Sequence, residues 1–86
     1  MLKIRKGVMV SEVDGEAVLM DQSSGKYFGL NATAYSMLKA IADSGSAEAA
    51  IASVCAEYDA PAETVRADCL ALIESLKSKG ILEDAV

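Results

Sequence analysis

Two thiols, Cys55 and Cys69, and two close carboxylate pairs, Glu57 with Asp59 and Glu83 with Asp84, are the residues of this chain whose chemistry could be catalytic. A thiol nucleophile needs an adjacent base, and a carboxylate dyad needs surroundings that push its two pKa values apart. The sequence provides neither. It contains no histidine, both cysteines fall on apolar helical stripes as buried free thiols do, and the acid pairs stand at segment ends where charge is solvated. Glycine-rich phosphate loops, HExxH and CxxC are missing too. With no histidine, a zinc site would have to recruit carboxylates. These residues predict a non-enzyme without cofactor or metal, which leaves recognition as the activity to look for.

The elements that would present a recognition surface are ordered around the segment KYFGLNATA, residues 26–34. Before it, apolar residues recur at strand-like spacing between turn signals; after it they recur at helical spacing. Val8–Val13 and Glu16–Asp21 predict two strands joined by the turn Asp14-Gly15, a pair that tolerates positive φ. Gln22-Ser23-Ser24-Gly25 is a second turn, and Lys26–Leu30 the third strand of a meander. Alternation puts Phe28 and Leu30 on the core face and Tyr27 and Gly29 on the other. Asn31 is suited to cap a first helix over about 32–43, with Ala34, Met37, Leu38 and Ile41 as its stripe and Gly45 as its end. Ser46 caps a second helix that runs to about residue 58. Pro61 opens a third that carries Val65, Cys69, Leu72, Ile73 and Leu76 on one face and stops at Gly80, after which Ile81-Leu82 folds back onto the core.

Charge narrows the partner. The 86 residues carry thirteen acids against eight bases, net −5. From Asp43 to Glu74 the only base is Arg66. Such a surface repels a phosphate backbone and attracts a basic peptide, so no nucleic-acid partner is expected. With no secretory signal and no apolar run near the ~18 residues that span a bilayer, a cytoplasmic protein without a membrane partner is expected. One domain, residues 1–86, accounts for the whole length. A three-stranded meander has two open edges, and a peptide can add itself as a further strand to either.

The strings DGEAVLMDQSSGKYFGLNATA, residues 14–34, and EYDAPAETVRADCLALIESLKSKGIL, residues 57–82, resemble the PqqD-like peptide chaperones, also called RiPP recognition elements. The resemblance is sharpest at GKYFGLN, residues 25–31, and at Asp68, Cys69, Leu72, Ile73 and Leu76 before Gly80-Ile81-Leu82. It implies a winged-helix-like α+β fold, a three-stranded antiparallel meander followed by a three-helix bundle. It also implies a non-catalytic function: binding the leader of a ribosomally synthesised precursor peptide on strand three, beside helix three, and presenting it to a modifying enzyme. Carried over, the binding positions are Lys26, Tyr27, Phe28, Gly29 and Leu30 on the strand and Val65, Arg66, Asp68, Cys69 and Leu72 on the helix. Lasso-peptide members often place tryptophan in the middle of helix one, where this chain has Met37-Leu38. The resemblance leaves open whether the enzyme is a protease, a cyclase or a radical enzyme, and whether the pathway makes a lasso peptide, pyrroloquinoline quinone or a radical-modified peptide. A winged-helix DNA-binding transcriptional regulator is the alternative that the same elements allow.

Overall fold

The computed structural model describes residues 1–84. Eight elements follow one another: β1 (Leu2–Ile4), β2 (Val8–Val13), β3 (Glu16–Asp21), β4 (Lys26–Leu30), α1 (Ala32–Ser44), α2 (Ala47–Tyr58), α3 (Ala62–Ser78) and β5 (Leu82–Asp84). Strands β2, β3 and β4 form the expected antiparallel meander, with β3 in the centre. Its tight turn has Asp14 and Gly15 both at positive φ, 53° and 82°, so that its twist matches that of the strands it joins. The expected helices are present with their caps: the Asn31 side chain accepts from the Ala34 amide, and that of Ser46 from the Ala49 amide. Pro61 sits at the cap of α3 instead of inside its first turn. There its missing N–H costs nothing and its extended ψ turns the chain into the helix.

The strands contribute alternate residues to the core. Ala17 and Leu19 of β3 are buried, and Phe28 and Leu30 of β4 pack half-buried beside them. Across from them lie Met37, Leu38 and Ile41 of α1, Ile51 and Val54 of α2, and Val65, Cys69, Ile73 and Leu76 of α3. The helices therefore cover one face of the meander, and its other face is left to solvent.

A second, two-stranded sheet was not foreseen. Leu2–Ile4 pairs antiparallel with Leu82–Asp84, Leu2 opposite Asp84 and Ile4 opposite Leu82. Ile81 and Leu82 do reach the core as expected, and they do so inside this ribbon. The ribbon is secured to α1 through the Leu2 amide, which donates to the Gly45 carbonyl. Gly45 has φ +70°, the left-handed conformation in which the helix ends and which favours glycine.

Arg5 ties the two sheets together. Its guanidinium lies 2.7 Å from the buried Asp21 carboxylate and also donates to the Gly80 carbonyl. The Ser23 hydroxyl donates to the same Asp21 oxygen at 2.8 Å. The Ser23 hydroxyl first, and Arg5 after it, hold the Asp21 carboxyl well below the ordinary carboxylate range, against the opposing effect of burial. Because the folded pKa is depressed, this carboxylate stabilises the fold fully above its unfolded pKa of about 4 and loses that contribution as pH falls below it. Between about pH 5 and pH 2 the melting temperature of Asp21→Asn is expected to change less than that of the native chain. Parallel pH profiles for the two proteins would refute this linkage.

Candidate functional site

The register of the meander decides which backbone groups are free. The two-residue Asp14-Gly15 turn makes Val13 and Glu16 a hydrogen-bonded pair, and the alternation continues through Ser11 with Val18 and Met9 with Met20. The Gln22 amide extends the pattern by donating to the Gly7 carbonyl. On β3 the groups of Ala17, Leu19 and Asp21 therefore face β4, where Leu30, Phe28 and Lys26 stand opposite. Tyr27 and Gly29 are left with their N–H and C=O pointing away from the sheet. Outside the ladder with β3, no hydrogen bond among the described residues reaches them. β4 is therefore an open edge with two donors and two acceptors available.

Beyond the C-terminal end of that edge lies a groove of about 520 Å³ between α1 and α3, lined by Asn31, Thr33, Ala34, Met37, Asp68, Ala71 and Leu72. It exists because small residues face each other: Thr33 and Ala34 on α1, Ala71 on α3. Met37 is buried and Leu72 half-buried, so they form an apolar floor and wall, while Asp68 is exposed at the rim. Asp68 has no ion-pair or hydrogen-bond partner among the described residues. At the other end of the edge, the Lys79 ammonium lies 5.3 Å from the centre of the Phe28 ring and joins α3 to β4.

The residues expected to bind separate into four groups. Tyr27 and Gly29 form the edge, flanked by exposed Lys26, with half-buried Phe28 and Leu30 anchoring the strand to the core. Asp68 and Leu72 line the groove. Val65 and Cys69 do not, being core residues at 4% and 0% exposure. Burial pushes the Cys69 thiol up, toward its neutral form. Arg66 is turned toward α2, where its two terminal nitrogens donate to Glu48 at 2.7 and 2.8 Å, and each partner pulls the other toward its charged form. Thr33, Ala34, Met37 and Ala71 are lining residues that sequence reasoning missed. Small residues facing one another across a helix pair were the available signal, but they become one only when the pairing is known.

An exposed ion pair contributes little because water screens it. Arg66→Ala is accordingly expected to keep a melting temperature close to native and a peptide affinity within about twofold, which calorimetry would check. A large loss of affinity would put Arg66 in the binding surface after all.

A three-stranded meander whose β4 edge is bare, a two-stranded ribbon and three helices together make a winged-helix-like α+β domain able to accept a strand. The family model of PqqD, Coenzyme PQQ synthesis protein D, matches residues 16–82, and the chain belongs to that family. Two solved structures share the whole fold. One is TbiB1 in complex with the TbiA(beta) leader peptide, 30% identical, with 98% of each chain covered and a TM-score of 0.85. The other is a lasso peptide synthetase B1 complexed with the leader peptide, 29% identical over 95% of this chain and 96% of that one, again with a TM-score of 0.85. No curated protein matches the chain.

Proposed function

We propose that this chain is a RiPP recognition element, a non-catalytic cytoplasmic carrier that binds the leader of a ribosomally synthesised precursor peptide as an added strand on β4 and presents it to a modifying enzyme. The observation that carries the reading is the outward-facing backbone of Tyr27 and Gly29, continuous with the groove between α1 and α3. The two leader-peptide complexes among the relatives of the same fold support it. A leader extended along β4 past Leu30 enters the groove, where Met37 and Leu72 receive an apolar side chain and Asp68 receives a cation.

The magnitudes are adequate. Four main-chain hydrogen bonds at ~1 kcal/mol each and two buried anchors at ~1.5–3 kcal/mol each give roughly 7–10 kcal/mol. Ordering a disordered peptide takes back ~2–5 kcal/mol, which leaves micromolar affinity at the favourable end. The DNA-binding alternative gains no support from these relatives, and the only base between Asp43 and Glu74, Arg66, is already paired with Glu48.

The test is titration with the fluorescein-labelled leaders of the two related complexes, with scrambled sequences as controls, followed by amide hydrogen exchange. Saturable binding that slows exchange at Tyr27 and Gly29 is the expected result. Protection confined to other segments would remove the strand-addition reading, and tight, salt-sensitive binding of a DNA duplex would restore the alternative.

A further inference from the structure

The meander has a second open edge, on β2. Val13 with Glu16, Ser11 with Val18 and Met9 with Met20 exchange their hydrogen bonds inside the sheet, so the residues between them, Val8, Val10 and Glu12, point their backbone groups outward. The Val8 amide turns back to the Arg5 carbonyl, 3.2 Å away. Among the described residues, no hydrogen bond reaches the Val8 carbonyl or the backbone groups of Val10 and Glu12. Soluble domains blunt such an edge with lysine, proline, a bulge or a covering element. β2 has none of these: its register with β3 is unbroken, it contains no lysine or proline, and α1 lies over β3 and β4. Its one charged residue, Glu12, faces the Tyr35 hydroxyl of α1. At mid-strand Val10 is 39% exposed.

The ends of the strand decide what fits this edge. Lys6 before it and Asp14 after it are exposed, and neither side chain has an ion-pair or hydrogen-bond partner among the described residues. They stand four residues to either side of Val10. Antiparallel pairing of two β2 strands about a twofold axis through Val10 therefore sets Lys6 of each copy against Asp14 of the other, and Val8 against Glu12. The two Val10 residues exchange a pair of hydrogen bonds, and each Glu12 amide donates to a Val8 carbonyl. All of these form without breaking the bond from the Val8 amide to Arg5. An axis through Ser11 would leave Lys6 and Asp14 unmatched, and one through Glu12 would oppose two carboxylates. The edge is thus complementary to itself in one register, in charge as well as in hydrogen bonding.

We propose that two copies of this chain associate through β2, antiparallel about Val10, into one continuous sheet of order β4-β3-β2-β2-β3-β4. Both β4 edges then lie at the outer rims, about 24 Å apart across five strand spacings, and stay open. Such pairing involves β2 alone and is independent of whether β4 takes a guest strand.

Sedimentation equilibrium of the native chain is expected to show a reversible dimer, dissociating at about 10–100 µM because one strand pair buries less than a standard interface. Val10→Pro removes an outward amide and no bond of the meander. It is expected to raise that constant about tenfold or more with an unchanged circular dichroism spectrum. Lys6→Glu sets like charges at both ends, and is expected to raise the constant about tenfold at low salt and less at high salt. Oxidation reads the register. Val10→Cys should form a disulfide with its twin, as Cα atoms about 5.5 Å apart permit, whereas Val13→Cys, opposite Gly7, should not. The native chain, with Cys55 and Cys69, is the control. A native chain that stays monomeric at millimolar concentration overturns the proposal. So does a dimer that survives both Val10→Pro and Lys6→Glu, or one that is cross-linked by Val13→Cys and not by Val10→Cys.

Discussion

Gly29→Pro is expected to abolish peptide binding while leaving the domain folded. The Gly29 amide faces away from β3, so the substitution breaks no bond of the sheet, and Phe28 is already extended as a residue before proline must be. For the guest strand the loss is threefold: one hydrogen bond, a carbonyl left without its donor, and a ring in the space its backbone needs. Together these amount to about 3 kcal/mol, or roughly 100-fold in affinity. Circular dichroism would confirm the fold and calorimetry the loss. A folded variant that binds within a few-fold of native would move the docking site off β4.

The second large effect is on stability. Leu19 is at 0% exposure in the centre of the middle strand, packed beneath α1. Leu19→Ala is expected to cost ~2–5 kcal/mol, from lost burial and from the cavity it leaves. For a chain this small the total is on the order of 5 kcal/mol, so the variant should be largely unfolded at modest temperature. Saturating leader, at about a hundred times its dissociation constant, should return ~2.7 kcal/mol and visibly refold it. Denaturant titrations with and without peptide read both effects. A Leu19→Ala midpoint equal to native would contradict the core described here.

Much of the fold was legible in the sequence because the signals are local. Asp14-Gly15, Asn31, Gly45 and Ser46 each act on neighbours within a few residues, and the strand and helix periods between them read directly. The ribbon of β1 and β5 escaped because Leu2-Lys3-Ile4 and Leu82-Glu83-Asp84 are too short to show a period, and each is a strand only because the other is there. The Arg5 and Asp21 contact escaped for the same reason: neither residue carries a sign of its distant partner. On β4 the pattern put Phe28 and Leu30 on the core face and Tyr27 and Gly29 on the other, as they are found, because alternation fixes faces. On α3 the resemblance carried Val65 and Cys69 over together with Asp68 and Leu72, and the helical period could not part them, because it gives the apolar face without saying where core ends and groove begins. Packing against α1 and α2 makes that division.

Because Leu2 and Asp84 are partners across one ladder, the two ends of the described chain lie within about 5.5 Å of each other. They meet in a different sheet from the one that offers the β4 edge. The described residues can therefore be grafted into a surface loop of a carrier protein without disturbing the strand that would receive a guest.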